Sequence, residues 1–262
     1  MIFSPLSKGS DEEENASLKI SSREDLENLK NMGLAKGSGT PEDPYVIEGV
    51  SLTVVGKQGI FIDRTSFPLI LRDITVIGTD VSHGTYGPKA SALYGGIIIY
   101  GAENIILENV TIFGNYVGIT IHNSQNIIIK DSSISSCFKG AEVSNADCVS
   151  LENLVLMFNT KGVLIDSSSE VSVRECIIIN SFQYGIQITG SKDVDVSSNL
   201  IGFALTAVTT ENSIGCTVRE NRIFDNSLGV FISKGSRNIC ICRNFFYQNK
   251  GFGVSVMSRV ES

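Results

Sequence analysis

The residues of this chain with the most chemical potential fall into two groups. One gathers Tyr100, His122, Glu142 and Asp166, preceded by Asp80, His83, Tyr86, Lys89 and Tyr94. Both histidines of the chain are in it. Imidazole, phenol, ammonium and carboxylate together suit a ligand-binding cleft. The chain has no tryptophan, which weakens it as a sugar platform, although tyrosines can stack too. Glu142 and Asp166 could also act as paired acids. Adjacent paired strands and a two-residue offset place their carboxylates roughly 8 Å apart, within the separation that inverting glycosidases use. Outward acids on a sheet are more commonly solvated, so these two are candidates for catalysis only. His122, Ser144 and Asp166 stand at the same spacing, but a nucleophilic triad needs histidine between serine and acid, and here serine is central.

The second group is Cys240 and Cys242, which share a face if Ile239 and Ile241 point inward. Two thiolates at that spacing could hold a soft metal. No third ligand accompanies them in the sequence, so no metal site is assigned and no cofactor is expected.

These side chains are brought together by a repeat. GIIIYGAENIILENVTIFGNYV, from Gly96, is followed by GITIHNSQNIIIKDSSISSCFK, from Gly118. The leading position recurs at Gly96, Gly118, Gly140, Gly162, Gly185, Ala207 and Gly229, at intervals of 22 or 23 residues. A period in the twenties made of short alternating β-branched runs is a solenoid signature. Each copy holds three alternating pairs, for example Ile119/Ile121, Ile127/Ile129 and a weaker pair ending at Ile134, so three short strands per turn are expected. The fold class is all-β: a right-handed parallel β-helix of about nine coils, the hand following from the general rule for parallel crossovers.

Stacking the copies creates further columns. Glu108, Lys130, Glu152 and Arg174 alternate in sign and read as a structural ladder. In the third strand the outward positions are also apolar, so Val155, Met157, Ile177, Ile179, Leu200 and Phe224 should form a contact stripe. That stripe, or the exposed C-terminal strand edge, is where a homo-oligomer would form, a two-fold dimer being the default. After Gly253 one more strand, VSV, is expected, with nothing to cover the last coil.

The repeat governs domain organisation too. Residues 1–16, ending in the acidic run Asp11–Glu14, read as a disordered tail, and 17–262 as one β-helix domain. Ser21 stands three residues before Glu24, a capping-box spacing, so a helix over about 21–34 is expected to cover the first coil. The first strand is expected at Tyr45, Val46 and Ile47. The one long interruption, 79–95, is an inserted loop that should lean over Tyr100, His122, Glu142 and Asp166.

The net charge is −7, of which four charges lie in that acidic run, and no basic stripe with interleaved aromatics exists, so nucleic acid is excluded as a partner. No stretch approaches the ~18 apolar residues of a membrane span, and MIFSPLSKGS lacks the features of a signal peptide. The chain as given thus reads as soluble, either intracellular or a trimmed form. The six cysteines do not stack into a disulfide ladder; Cys176 and Cys216 fall at inward positions as small buried hydrophobes.

The glycine-rich turn running into Asp43-Pro44-Tyr45-Val46-Ile47-Glu48-Gly49, then a Gly-Ile-x-Ile strand and the repeats, resembles the NosD-like proteins of the carbohydrate-binding and sugar-hydrolase β-helices. The resemblance spans about Gly37 to the end. It implies a cell-envelope or secreted location and roles from sugar recognition to accessory work in copper-enzyme maturation, and it carries over no catalytic residues. The reading is therefore a binding or structural module, with a polysaccharide-active enzyme as the alternative.

Overall fold

The computed structural model describes residues 17–79 and 95–257. Asp80, His83, Tyr86, Lys89, Tyr94 and the body of the inserted loop lie outside the described residues, as do the acidic tail and residues 258–262.

Alternation of β-branched and polar residues produces a parallel β-helix in which the central coils contribute one strand to each of three stacks, here called sheets, the third running through Ser133–Ser135, Val155–Met157, Ile177–Ile179, Leu200–Gly202, Arg222–Phe224 and Phe245–Tyr247. The first sheet runs through ten described strands, from Leu18–Ile20 and Ile60–Asp63 through Gly95–Tyr100, Val117–His122, Lys139–Ser144 and Lys161–Asp166 to Val254–Val256. Its register follows the repeat: Ile97 pairs with Ile119, Ile119 with Ala141, and Ala141 with Val163. Ile97, Ile121, Ile129, Val173 and Val196 are all fully buried, as the alternation requires.

The leading glycines form one column, and their lack of a side chain is needed there. A Cβ on Gly140 would stand 2.6 Å from the carbonyl oxygen of Gly162 and 2.8 Å from Leu156, and one on Gly96 would meet Gly118 and Ile112 at 2.7 Å. The first and third sheets meet at this corner too closely for a methyl group without local adjustment. Ala207, fully buried in the same column, carries one.

Corners are made by left-handed residues. In the coil from Gly118 these are Asn123, Asn126, Asp131 and Ser136, with φ between 52° and 55°, mostly residue types that tolerate that region. Asn123, Asp131 and Ser136 donate their own N–H groups to carbonyls of the next coil, whereas other corner N–H groups find side chains of the next coil instead. Ala146 N–H donates to Ser168 Oγ, Ser168 N–H to Ser191 Oγ and Ser191 N–H to Ser213 Oγ, each at 3.2 Å. A second buried ladder links Cys176 N–H to Asn199 Oδ1 and Asn199 N–H to Asn221 Oδ1, both at 2.9 Å, and Asn221 N–H to Asn244 Oδ1 at 3.0 Å. These polar residues sit inside the solenoid because each satisfies a backbone donor that has no other partner. Cys137, Cys176 and Cys216 are buried free thiols, and burial pushes Cys137 and Cys176 up to about 12.

The N-terminal end differs from expectation in detail. The helix spans Arg23–Asn31, shorter than 21–34. Its N-cap is Ser22, one residue later than the Ser21/Glu24 spacing implies: Ser22 Oγ accepts from Asp25 N–H, and Asp25 Oδ2 accepts from Ser21 N–H at 2.8 Å. Leu26 and Leu29 enter the core, closing the first coil. Leu18–Ile20, not Tyr45–Ile47, is the first described strand: Leu18 and Ile20 are buried, Lys19 between them is exposed, and the strand pairs with Ile60–Asp63. Among the described residues no helix is long and apolar enough to cross a membrane.

The charge ladder begins earlier than its four expected members. Arg72 links Glu48 and Glu108 at 4.0 and 3.0 Å, Lys130 reaches Glu108 at 3.2 Å, and Arg174 pairs with Glu152. On the third sheet, Leu156, Ile178, Ile201 and Ile223 are buried. Val155, Met157, Ile177, Ile179, Leu200 and Phe224 therefore face outward, Ile177 exposed and the others half-buried. Phe252, Val254, Val256 and Met257 of the last described coil are exposed.

Candidate functional site: a cleft on the first sheet

The outward face of the first sheet carries two parallel rows. Phe61, Ile98, Thr120 and Glu142 form one, and Asp63, Tyr100, His122, Ser144 and Asp166 the other, each residue paired in register with the next. The side chains of both rows point away from the core because Ile97, Ile99, Ile119 and Ile121 occupy the alternate positions. A cleft of about 590 Å³ opens over them, lined also by Gln58 and Arg64.

Phe61 and Ile98 supply an apolar floor. The Tyr100 and His122 rings stack 5.4 Å apart, inclined by 18°. His122 Nδ1 lies 2.7 Å from Ser144 Oγ, which fixes the imidazole on the side facing away from Tyr100. The Arg64 guanidinium stands 5.9 Å from the Tyr100 ring centroid and pairs through Nε with Asp63 Oδ1 at 2.9 Å. Gly101 makes this placement feasible, since a Cβ there would meet Arg64 Cγ at 2.9 Å. Lys139 Nζ holds Glu142 Oε1 at 2.7 Å. Thr120 is 5% exposed and its Oγ1 has no hydrogen-bond partner.

Tyr100, His122 and Glu142 therefore meet in one cleft, as their spacing implies. Asp166 is exposed, accepts from Ser167 Oγ at 3.3 Å, and is not among the cleft-lining residues. His122 bonds Ser144, with Asp166 on the far side of the serine, so the column has the order that rules out a triad. Sequence reasoning missed Phe61, Asp63, Arg64 and Thr120. The inserted residues place Tyr100 37 residues after Asp63, hiding the coil that holds Asp63 from a search at a period of 22.

Cys240 and Cys242 lie on one short strand with their Sγ atoms 3.8 Å apart. A further cluster that the sequence reading missed is Asp147, Cys148 and Glu170, whose donor atoms all lie within 4.8 Å of one another. There the Cys148 thiol donates to Glu170 Oε2 at 3.2 Å, and that bond with the neighbouring carboxylate charges pushes it up to about 11. A second groove, of about 610 Å³, runs beside the helix and is lined by Arg23, Phe67, Asn104, Ile106, Asn126 and Ile128 among others.

The family described as "Periplasmic copper-binding protein (NosD)" matches residues 73–256. Curated protein sequences give no match. Among solved structures, the GH136 lacto-N-biosidase from Eubacterium ramulus superposes with a TM-score of 0.54 at 11% identity, over 79% of this chain and 52% of that one. A point mutant of the periplasmic alginate epimerase AlgG superposes with a TM-score of 0.50 at 15% identity, over 91% of this chain and 65% of that one. The chain thus spans about half of the biosidase and just under two thirds of the epimerase. At these identities the likeness is one of fold.

Proposed function

The chain belongs to the NosD family, and from that premise we propose that it is a binding module whose first-sheet cleft takes an oligosaccharide. The observation that carries this reading is the stacked Tyr100–His122 pair, set between an apolar floor and polar groups. A pyranose presents an apolar face to an aromatic ring and hydroxyls around its rim. Asp63, Arg64, Glu142 and Ser144 are placed for the rim, and the Thr120 hydroxyl is a buried group awaiting a partner. The biosidase and the epimerase of this fold act, by name, on saccharides; the support here comes from the cleft itself.

Binding is favoured over turnover by the state of the acids. Within the cleft Asp63 is committed to Arg64 and Glu142 to Lys139, so neither carboxylate is free to activate water against the other. Copper suits the cleft poorly, because among the described residues His122 is its sole imidazole and no thiol or thioether lines it.

Glycan-array screening followed by calorimetric titration of the best oligosaccharide tests the proposal. Saturable binding that Tyr100→Ala abolishes is expected, with no new reducing or unsaturated ends after long incubation. Binding that survives Tyr100→Ala unchanged would place the ligand elsewhere, and turnover would favour the enzyme reading.

A further inference from the structure

We propose that the ligand of the first-sheet cleft is an acidic saccharide, its carboxylate or sulfate held by Lys161; this rests on the reading of the cleft as an oligosaccharide site. Two lysines stand beside the cleft in successive coils, Lys139 and Lys161, paired in register, and Glu142 is paired in register with Leu164. In the first of these coils the residue three positions after the lysine answers its charge: Lys139 Nζ lies 2.7 Å from Glu142 Oε1. In the next coil that position is leucine, so Lys161 has no carboxylate of its own. Two ammonium groups share one carboxylate, and one positive charge is left over at the edge of the cleft.

The surroundings of Lys161 make that surplus charge costly. The residue is half-buried, its ammonium lies 5.7 Å from the Tyr184 ring centroid, and among the described residues it forms no ion pair. Burial, and then the Lys139 charge, hold it below its ordinary value of 10.5, with Glu142 acting in the opposite direction. An arriving anion would supply the Coulomb attraction that the protein does not. Other acids beside the cleft give none. Asp63 pairs with Arg64, and Asp166 stands at the far end of the Lys161–Asp166 strand, five rises or about 16 Å along it.

A second unused group continues the face along the axis. Gln187 is paired in register with Leu164 on the coil after Lys161, and its Oε1 is buried without a hydrogen-bond partner. An acceptor there suits a sugar hydroxyl near the acidic group. From Tyr100 to Gln187 the face crosses five successive strands, Gly95–Tyr100, Val117–His122, Lys139–Ser144, Lys161–Asp166 and Tyr184–Thr189. Their four pairings, at about 4.8 Å each, give roughly 19 Å. That is a length for an oligosaccharide, not for a single sugar.

The test is a glycan array bearing uronates and sulfate esters beside their neutral counterparts, with carboxyls reduced or sulfates removed, followed by calorimetry of the full chain with the best acidic member and its counterpart. The acidic member should bind about tenfold more tightly at low salt, an advantage that shrinks as salt rises. Lys161→Gln should erase the advantage, Lys161→Arg should keep most of it, and Tyr100→Ala should abolish binding of both members. The uronate and sulfate arms identify which acid is taken. On the unaltered chain the acidic ligand should protect Lys161 from acetylation, as read by mass spectrometry. Equal affinity for acidic and neutral members, an acidic preference that Lys161→Gln leaves intact, or an unprotected Lys161 would overturn the proposal and leave the reading of the cleft standing. Binding of no member, or binding indifferent to Tyr100→Ala, would overturn that reading as well.

Discussion

His122 and Ser144 stand one coil apart and share a 2.7 Å hydrogen bond, so the imidazole that stacks on Tyr100 is clamped from the opposite side. A preorganised ring loses little freedom when a ligand arrives. His122→Ala should weaken oligosaccharide binding roughly tenfold, ~1.4 kcal/mol. Its melting temperature should stay near that of the parent, because the side chain lies outside the core. Calorimetry and a thermal melt on the same sample check both halves.

Two buried threonines with unpaired hydroxyls separate ligand binding from stability. Thr120 lines the cleft, whereas Thr210 pairs in register with inward-facing Ile188 and is fully buried. Replacing either by Val removes an unsatisfied buried hydroxyl and should leave stability unchanged or raise it by up to about 1 kcal/mol. Only Thr120→Val should also lower affinity for the oligosaccharide. Equal loss of binding in both variants would show that the effect is not local to the cleft.

Asn221 accepts from the backbone N–H and the side-chain amide of Asn199 and donates to the Val196 carbonyl at 2.9 Å. Asn221→Ala strands several buried groups at once. A loss of about 3 kcal/mol is expected from urea unfolding, since each unsatisfied buried group costs about 1–3 kcal/mol.

Acid should loosen the charge ladder. Arg72 and then Lys130 hold the Glu108 carboxyl below its ordinary value of 4.5, and Arg174 and then Ser150 do the same for Glu152. The folded values lie below the unfolded ones, so this stabilisation is present above about pH 4.5 and is lost as pH falls through the depressed values. The groups are partly solvated, so each should contribute less than about 1 kcal/mol. Urea midpoints measured from about pH 6 down to about pH 3 should fall less steeply in Glu108→Gln than in the parent.

The solenoid was legible because its core is written as a repeated alternation: Ile97, Ile119, Ala141 and Val163 line up by counting alone. The charge ladder and the outward third-sheet stripe were legible for the same reason. What counting misses is polar residues that belong inside. Asn199, Asn221 and Asn244 recur at the coil period, but an asparagine in the core makes sense only once the corner N–H groups that it satisfies are seen. The cleft was half legible. Tyr100, His122 and Glu142 follow from the period, whereas Asp63 and Arg64 reach them across an insertion. The Cys240–Cys242 pair was visible as a spacing, and the missing information was that their sulfurs converge.

The stacking of coils also makes this molecule a ruler. Five strand pairings separate Val117–His122 from Leu228–Ile232, the strand whose coil goes on to Cys240 and Cys242. At about 4.8 Å per pairing, roughly 24 Å of axis lies between the cleft and the thiols. Because every coil adds the same increment, the gap between these two points is set in whole graduations. Duplicating one coil between them would lengthen it by a single step and leave the contacts around each point as they are. A flexible tether would give a distribution of distances; a rigid stack of coils gives a number.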